Sequence, residues 1–312
     1  MTFTHYSVLL EECIQALNIR PDGIYLDGTL GRAGHSRRIA EQLGESGRLI
    51  CVDRDQAALD AARERLAAWL DRVTLVHSNF SEIDSILDGL GIAGVDGMLF
   101  DLGVSSPQLD DAERGFSYMA DAPLDMRMDQ SEGLTAADVV NGWSQDELRR
   151  ILLQYGEERY AGLIAAAIAR RRADKPIETT LELVDVIKSA MPGKALKEKQ
   201  HPAKRSFQAI RIAVNDELTA VDKMIRAAVP RLNKGGRLAV ISFHSGEDRL
   251  VKNGLGAFAR GCTCPPDFPV CVCGKTPDIR LVNKKPILPG AQELEENPRS
   301  RSAKLRVAEK LK

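Results

Sequence analysis

Short apolar runs alternate with amphipathic stretches over the first hundred residues of this chain. The apolar runs predict buried strands at residues 24–27, 48–53, 73–77 and 95–101. The stretches between them predict helices at residues 36–43, 55–70 and 81–90, and Asp55 is placed to cap the second of these. Strands that alternate with helices in this way form a parallel, doubly wound sheet.

The alternation stops after residue 101. Residues 102–215 predict loops and helices but no strand, with helices at 142–155, 160–172, 180–190 and a long one at 203–232. A strand at 235–243 then restores the pattern, and two last strands are predicted at 279–282 and 303–308. The chain is therefore predicted to be an α/β protein with a doubly wound, mostly parallel sheet. Residues 1–104 and 216–312 form the sheet domain, and residues 105–215 are an inserted helical domain.

Composition narrows the class of protein. The chain has 43 basic and 44 acidic residues, a net charge of −1, which argues against a general polyanion binder but allows a local basic patch. No apolar run approaches the ~20 residues of a membrane span. The N-terminus lacks the basic and apolar regions of a signal peptide, so a cytoplasmic protein is expected. Six cysteines are too few for a disulfide scaffold of this size.

A glycine-rich turn follows the first predicted strand. The strand ends at Asp27, and glycines follow at positions 28, 31 and 34 before the helix. Glycines let the backbone approach a ligand closely, and such turns lie at the carboxyl end of a sheet. The spacing is neither that of the dinucleotide motif nor that of the phosphate loop. An acid at the start of the turn repels pyrophosphate but favours a cation, such as the amine and sulfonium of S-adenosylmethionine.

Three predicted strands end in an aspartate: Asp27, Asp53 and Asp101. Neighbouring strands of a doubly wound sheet end at one crevice, so the three carboxylates are expected to face it together. Asp53, at the end of the second strand, is placed to accept hydrogen bonds from both ribose hydroxyls of an adenosine. The alternative is that each acid only caps the helix that follows it. Phe80, after the third strand, is expected either beside the adenine ring or in the core.

The segment at residues 27–36 resembles the cofactor motif of the bacterial RsmH (MraW) family of ribosomal RNA methyltransferases. Further segments that are similar to this family lie at residues 6–10, 101–110, 114–118, 123–129, 155–159, 201–209, 241–245 and 296–302. The resemblance covers nearly the whole chain. It implies a Rossmann-like fold of the class I methyltransferases and S-adenosylmethionine as cofactor. It also implies methylation of N4 of a specific cytidine in the decoding region of 16S ribosomal RNA, within the small ribosomal subunit.

The resemblance also implies a set of cofactor contacts, at Ala33, Gly34, His35, Asp53, Phe80, Asp101 and Gln108. Ala33 departs from the family, which more often has glycine there, but alanine is small enough for cofactor binding to survive. Without the family match, His35 is better explained as a residue at the start of a helix that bonds to nearby backbone.

The chemistry of the implied reaction gives Asp101 a catalytic role. The N4 amine of cytosine is a poor nucleophile because its lone pair is delocalised into the ring. Acceptors that bind the amine hydrogens favour a localised lone pair, and the nitrogen must be held in line with the methyl–sulfur bond. We expect Asp101 and the carbonyls of the loop at residues 105–108 to be these acceptors. The alternative for the loop is a tight turn rich in serine and proline.

The helical insertion is the expected RNA-binding part, because a target base must leave its stack to reach the methyl group. Residues 194–205 are basic, residues 170–172 are three arginines, and one face of the predicted helix after residue 203 carries Lys204, Gln208, Arg211 and Asn215. Such side chains suit contacts with phosphates. The alternative is a solvated helix face.

Four cysteines cluster late in the chain, at positions 262, 264, 271 and 273. They could hold one zinc ion, although the spacing is tighter than usual, or they could be reduced thiols in a surface loop, and no metal site is assigned from the sequence. The sequence leaves two alternative functions to consider. A nicotinamide oxidoreductase would need the dinucleotide motif, which is absent, and an RNA-binding assembly factor would keep the fold without the catalysis.

Overall fold

The computed structural model describes residues 7–262, 264–265, 268–270 and 272–312. They divide into two compact units. One consists of the residues up to Gly103 together with Leu218–Lys312, and the other is Val104–Glu217. We call the first the sheet unit and the second the helical unit.

The described part of the sheet unit contains one sheet of seven strands. They are β1 (Ile24–Asp27), β2 (Arg48–Asp53), β3 (Val73–His77), β4 (Val95–Asp101), β5 (Leu232–Ser242), β6 (Ile279–Leu281) and β7 (Lys304–Lys310). Their order is β3-β2-β1-β4-β5-β7-β6. The first five strands are parallel, and β7 lies antiparallel between β5 and β6. This confirms the predicted fold, a doubly wound and mostly parallel sheet flanked by helices.

Helices connect the strands and build the helical unit. In chain order they are α1 (Leu10–Leu17), α2 (Gly34–Ala40), α3 (Gln56–Arg65), α4 (Ile83–Gly89), α5 (Ser106–Asp110), α6 (Ala136–Gly142), α7 (Gln145–Gln154), α8 (Ala161–Asp174), α9 (Thr180–Ala190), α10 (Gly193–Leu196), α11 (Lys204–Asn215), α12 (Glu217–Ala228), α13 (Ser245–Ala259) and α14 (Ala291–Glu296). Within the residues described, no helix is both long enough and apolar enough to span a membrane.

The central strands are buried on both faces, which is why they are continuous apolar runs in the sequence. Side chains alternate between two cores: Tyr25 and Leu49 belong to the core that contains residues of α1 and α2, and Leu26 and Ile50 belong to the core that contains residues of α4, α12 and α13. Burying one such side chain stabilises the fold by about 1.5–3 kcal/mol. The cores therefore fix the strand ends in space.

The helical unit has its own core, built on helices α6 to α9 and α11. It includes Leu148, Ile151, Ile164, Leu183 and Phe207. Side chains also define where two of the helices begin. Thr135 accepts the Asp138 amide hydrogen at 3.1 Å at the start of α6, and Ser144 accepts that of Glu147 at 3.3 Å at the start of α7.

Several of the predicted elements differ from those in the structure, and two of the differences concern α11, α12 and β5. The single helix predicted at 203–232 is two helices, α11 and α12, because Asp216 between them takes a left-handed conformation with φ of 48°. A short polar side chain tolerates that conformation, which interrupts the helical hydrogen bonds. The strand predicted from Gly235 begins at Leu232, and its pairing with β4 shifts register between Val95 and Gly97.

Candidate functional site

The turn between β1 and α2 is hydrogen-bonded to both neighbouring strands. The Gly28 amide donates to the Leu99 carbonyl oxygen of β4 at 2.9 Å, and the Leu30 amide donates to the Val52 carbonyl oxygen of β2 at 3.1 Å. The Asp101 amide donates to Thr29 Oγ1 at 2.6 Å. The turn is therefore fixed across the carboxyl ends of three strands, where doubly wound sheets bind ligands.

The glycines of this turn are required by their surroundings. A Cβ added at Gly28 would lie 2.1 Å from Cε1 of the buried Phe100 ring, and one added at Gly34 would lie 2.0 Å from Ser7 Oγ. Ala33 has φ of 58°, a left-handed conformation that is strained for a residue with a Cβ. A glycine at this position would adopt the same conformation without that strain.

Asp27 ends β1 and is 1% exposed. Its Oδ2 accepts the Ser36 hydroxyl hydrogen at 2.6 Å, and its Oδ1 accepts the Thr29 amide hydrogen at 3.1 Å. Burial raises the pKa of this carboxyl to about 6, with a smaller contribution from the Asp53 carboxylate, although the two hydrogen bonds oppose the shift. Both oxygens are therefore used to fix the turn.

Asp53 ends β2 and holds the middle of the turn. Its Oδ2 accepts the Gly31 amide hydrogen at 2.8 Å, and its Oδ1 accepts the Asp55 amide hydrogen at 2.9 Å. Burial raises its pKa, and these backbone hydrogen bonds oppose the rise. Each carboxylate oxygen has a second lone pair, so the group can still accept hydrogen bonds from the two hydroxyls of a ribose. Asp55 also caps α3 as predicted, because its side chain accepts the Ala57 amide hydrogen at 3.1 Å.

Asp101 ends β4 and carries the main electrostatic feature of the site. Its Oδ1 is buried and has no hydrogen-bond partner among the residues that the structure describes. Burial raises the pKa of this carboxyl well above its ordinary value, and the nearby carboxylates of Asp27, Glu247 and Glu293 raise it further. A buried acceptor among like charges is unfavourable unless a ligand supplies a donor or a positive charge.

The three strand-end aspartates do lie near one another, since the Asp53 carboxylate raises the pKa of Asp27 and the Asp27 carboxylate raises that of Asp101. Two further acids were missed by the sequence reasoning. Glu247 lies at the start of α13 and accepts the Phe243 amide hydrogen at 2.7 Å, and Glu293 on α14 accepts the Leu9 amide hydrogen at 2.9 Å. The interval from His244 to Glu247 has the spacing of a helix cap, which could have indicated Glu247. No local signal indicates Glu293.

His35 begins α2 and is buried against the backbone of the N-terminal segment. Its Nε2 lies 3.0 Å from the Val8 carbonyl oxygen. Burial lowers the pKa of the imidazole to about 4, and the contact with Val8 opposes this shift. The ring is therefore neutral near pH 7 and donates from Nε2, which ties Val8 to the glycine turn.

Phe80 follows β3, at the start of a short 3₁₀ helix that Asn79 caps. Its ring contacts the Phe100 ring edge to face, with centroids 5.9 Å apart. It is only partly buried, so one part of the side chain packs on the core and another part remains accessible to a ligand.

Gln108 belongs to the helical unit, unlike the other predicted cofactor contacts. It is buried, and its Oε1 accepts the Ser105 amide hydrogen at 3.0 Å, which closes the first turn of α5. Its role in the helical unit is therefore at least that of a helix cap.

Two residues of the predicted phosphate-binding face of α11 make contacts within the helical unit. Arg211 forms a two-bond ion pair with Glu217, with both N–O distances 2.8 Å. Asn215 is buried, donates to the Met126 carbonyl oxygen at 2.7 Å and accepts the Met128 amide hydrogen at 2.8 Å. These side chains hold the helical unit together, and Gln208 donates to the Tyr155 carbonyl oxygen at 3.1 Å in the same way.

The residues of the sheet unit fit a positively charged nucleoside. The glycine turn lets a ligand approach the backbone closely, and the Asp53 carboxylate can accept hydrogen bonds from a ribose. Asp101 has a buried oxygen that accepts no hydrogen bond from the described residues. The surrounding acids favour a cation over an anion. S-adenosylmethionine has a ribose, an ammonium and a sulfonium, and so meets these demands.

Comparison with known proteins identifies the family. A protein from Brevibacillus brevis named ribosomal RNA small subunit methyltransferase H is 57% identical over 311 residues, which is 100% of this chain and 99% of that protein. A protein of the same name from Paenibacillus sp. (strain JDR-2) is 59% identical over 99% of this chain and 100% of its own length. A solved rRNA methylase from Streptococcus thermophilus is 12% identical, with a TM-score of 0.43 over 97% of this chain and 95% of its own. The model of the MraW methylase family matches residues 2–311, and the chain therefore belongs to the MraW methylase family.

Proposed function

We propose that this methylase transfers a methyl group from S-adenosylmethionine to the exocyclic N4 of a specific cytidine in the decoding region of 16S ribosomal RNA. Its curated relatives are named as ribosomal RNA small subunit methyltransferases, at 57% and 59% identity over essentially the whole chain. Membership of a methylase family excludes the alternative function of a nicotinamide oxidoreductase. A ribosomal RNA substrate is consistent with the predicted cytoplasmic location.

The observation that carries the proposal is the Asp101 carboxylate. It lies at the carboxyl end of β4, its backbone is fixed to the glycine turn through Thr29, and its buried Oδ1 has no donor within the described residues. A carboxylate in this state accepts a hydrogen from an amine strongly, since it has lost its own hydration. An exocyclic amine is the nucleophile of the proposed reaction.

The mechanism follows from what these residues can do. The bound S-adenosylmethionine supplies a methyl group on a positively charged sulfur. Asp53 and the glycine turn bind and orient the adenosine part. Asp101 accepts a hydrogen bond from the cytosine amine, which favours a localised nitrogen lone pair, and its charge stabilises the positive charge that the amine gains on methylation. The extra proton is then lost to water or to a weak base.

The helical unit is proposed to contact the RNA. Lys194, Lys197 and Lys199 are exposed on and after α10, unlike Arg211 in its ion pair on α11. Exposed lysines suit phosphate contacts, which position a protein on RNA without reading its sequence. The basic stretch at residues 194–199 therefore replaces the face of α11 as the expected RNA contact.

The test is methyl transfer in vitro to small ribosomal subunits from a strain that lacks this enzyme, followed by mass mapping of the RNA. The wild-type chain should add one methyl group to N4 of one cytidine. Asp101→Asn should reduce turnover by about 10²-fold or more, in the range measured for loss of one transition-state hydrogen bond. Asp96→Asn, at the opposite end of the same strand, is the matched control and should retain turnover.

Other outcomes decide against the proposal. Methylation of a carbon or a ribose, or of another RNA, would replace the substrate assignment. Absence of any transfer by the wild-type chain would favour the RNA-binding assembly factor. Full turnover by Asp101→Asn would remove the catalytic assignment of this residue while leaving the methyltransferase intact.

The RNA contact has a separate test. The double substitution Lys197→Glu and Lys199→Glu should weaken RNA binding and reduce its salt dependence, because two phosphate contacts are lost. Binding of S-adenosylhomocysteine should be unchanged. Lys223→Glu, an exposed reversal on α12, is the control and should leave RNA binding as it is. Equal weakening by the control would show a general effect of charge.

A further inference from the structure

The segment at residues 260–278 joins α13 to β6 and has no helix or strand in its described part. Its ends are held together by the Asp278 amide, which donates to the Phe258 carbonyl oxygen at 3.0 Å. None of its described residues is buried, and Phe268, Val270 and Val272 are exposed. A loop of this length without a core of its own has to be ordered by something other than apolar packing.

Three thiols within this loop lie together. The Sγ atoms of Cys262, Cys264 and Cys273 are all within 4.8 Å of one another, and those of Cys262 and Cys273 are 3.8 Å apart. The distance between the sulfurs of Cys262 and Cys273 is too long for a disulfide, which requires about 2.05 Å. Two thiolates at about 2.3 Å from a tetrahedral zinc ion lie about 3.8 Å apart, the edge of that tetrahedron. The spacing observed for Cys262 and Cys273 is therefore that of zinc ligands.

The backbone supports the same assignment. The Cys264 amide donates a hydrogen bond to Cys262 Sγ at 3.3 Å. A donor directed at sulfur stabilises the thiolate, which is the form that binds a metal, over the thiol. Gly274, directly after Cys273, has φ of 60°, a turn that a residue with a Cβ adopts only with strain. Both features shape the loop around the sulfurs rather than around an apolar core.

We propose that Cys262, Cys264 and Cys273 bind a structural zinc ion that closes the loop at residues 260–278. Soft thiolate ligands select zinc over the harder magnesium and calcium ions, and structural zinc takes four ligands. Cys271 repeats the two-residue spacing in the sequence but lies outside the described residues. The thiols release their protons on binding, and the ion joins residues near both ends of the segment.

The experiment measures metal in the intact protein. The full chain is expressed with zinc in the medium, purified without chelator and analysed by plasma mass spectrometry. Wild type should contain one zinc per chain. Cys262→Ser and Cys273→Ser should each lower the zinc content by at least about tenfold. Cys13→Ala removes a buried thiol of α1 and is the matched control, so it should keep its zinc.

A second measurement covers the case in which a variant folds poorly. Reduced wild-type protein freed of metal is titrated with cobalt(II), which gives intense visible bands in a tetrahedral thiolate site, and zinc is then added. The proposal requires one equivalent of cobalt with thiolate charge-transfer absorption and its displacement by zinc. Zinc-free protein that also gives no such cobalt spectrum overturns it. So does zinc that Cys262→Ser and Cys273→Ser both retain, or iron in place of zinc.

Discussion

The substitution Asp27→Asn tests how the buried carboxyl beside the glycine turn contributes to the pH dependence of the unfolding free energy. Asp27 is 1% exposed and accepts hydrogen bonds from Ser36 and Thr29. Asparagine has the same shape and can accept through its oxygen, but it carries no charge at any pH. The substitution therefore removes the titration of this residue from the stability of the protein, together with a contribution from altered hydrogen bonding that does not depend on pH.

The magnitude follows from the pKa. Burial raises the pKa of Asp27 from 3.8 to about 6, so the folded state holds this proton more tightly than the unfolded state does. Because the folded pKa is raised, the stabilisation is fully present below pH 3.8 and is lost as pH rises through about 6. The full difference corresponds to about 3 kcal/mol, and the part between about pH 5 and about pH 7.5 is about 1.4 kcal/mol.

The assay is urea unfolding of ligand-free protein at about pH 5, 6 and 7.5, followed by circular dichroism. The difference in unfolding free energy, wild type minus Asp27→Asn, should fall by about 1.4 kcal/mol between the lowest and the highest pH. Removal of the Asp27 charge also eases ionisation of Asp101, which acts in the same direction. Glu64→Gln, on the exposed side of α3, is the control and should follow wild type within about 0.5 kcal/mol.

One result would refute this reasoning. If wild type and Asp27→Asn change in parallel over this pH range, Asp27 is ionised in the folded protein at pH 5, and burial does not dominate its environment. A pKa held below 3.8 by the hydrogen bonds from Ser36 and Thr29 would give the same parallel curves, because that titration lies below pH 5.

Three further predictions concern other parts of the molecule. Gly28→Ala should destabilise the protein by about 1–3 kcal/mol in urea unfolding, since its Cβ would lie 2.1 Å from Phe100 Cε1. Addition of Phe100→Leu should recover part of this loss. If Gly28→Ala leaves the stability unchanged, the contact with Phe100 is contradicted. Affinity for S-adenosylmethionine should fall as pH is lowered, because the pKa of Asp101 is raised and the cationic ligand must compete with a proton for this carboxylate. Calorimetry in two buffers of different ionisation enthalpy should detect the proton released on binding. Asp101→Asn should abolish that release. Arg211→Ala should destabilise the helical unit by roughly 2–3 kcal/mol, somewhat less than a fully buried pair, by leaving Glu217 without its partner. Normal stability with lost RNA binding would instead restore the phosphate-binding role.

Much of the sheet unit followed from local sequence. Strands β1 to β4 have the predicted bounds, because strands buried on both faces are continuous apolar runs that end where the chain turns polar. The positions of Asp27, Asp53 and Asp101 at strand ends then required only the general rule that parallel strands end at one edge. The glycine turn was equally visible in the local sequence, although the hydrogen bonds that fix it come from β2 and β4.

The helical unit shows where this reasoning stops. Helical spacing places Arg211 and Asn215 on one face of α11, but it does not say what that face contacts, and the contacts are Glu217 and the backbone of Met126 and Met128. The break at Asp216 is a local event that no strong signal marks, because aspartate occurs both inside helices and in left-handed turns.

The fold class, the strand ends and the family could be inferred from the amino-acid order alone, because each depends on the order of residues along the chain. The tertiary structure decided which charges act on Asp101, since Glu247 and Glu293 come from distant parts of the chain. It also decided that three cysteines of one loop lie within 4.8 Å of one another. Burial, and with it the raised pKa of each strand-end aspartate, depends on what the rest of the chain packs against that residue, and the adjacent residues in the sequence do not determine this.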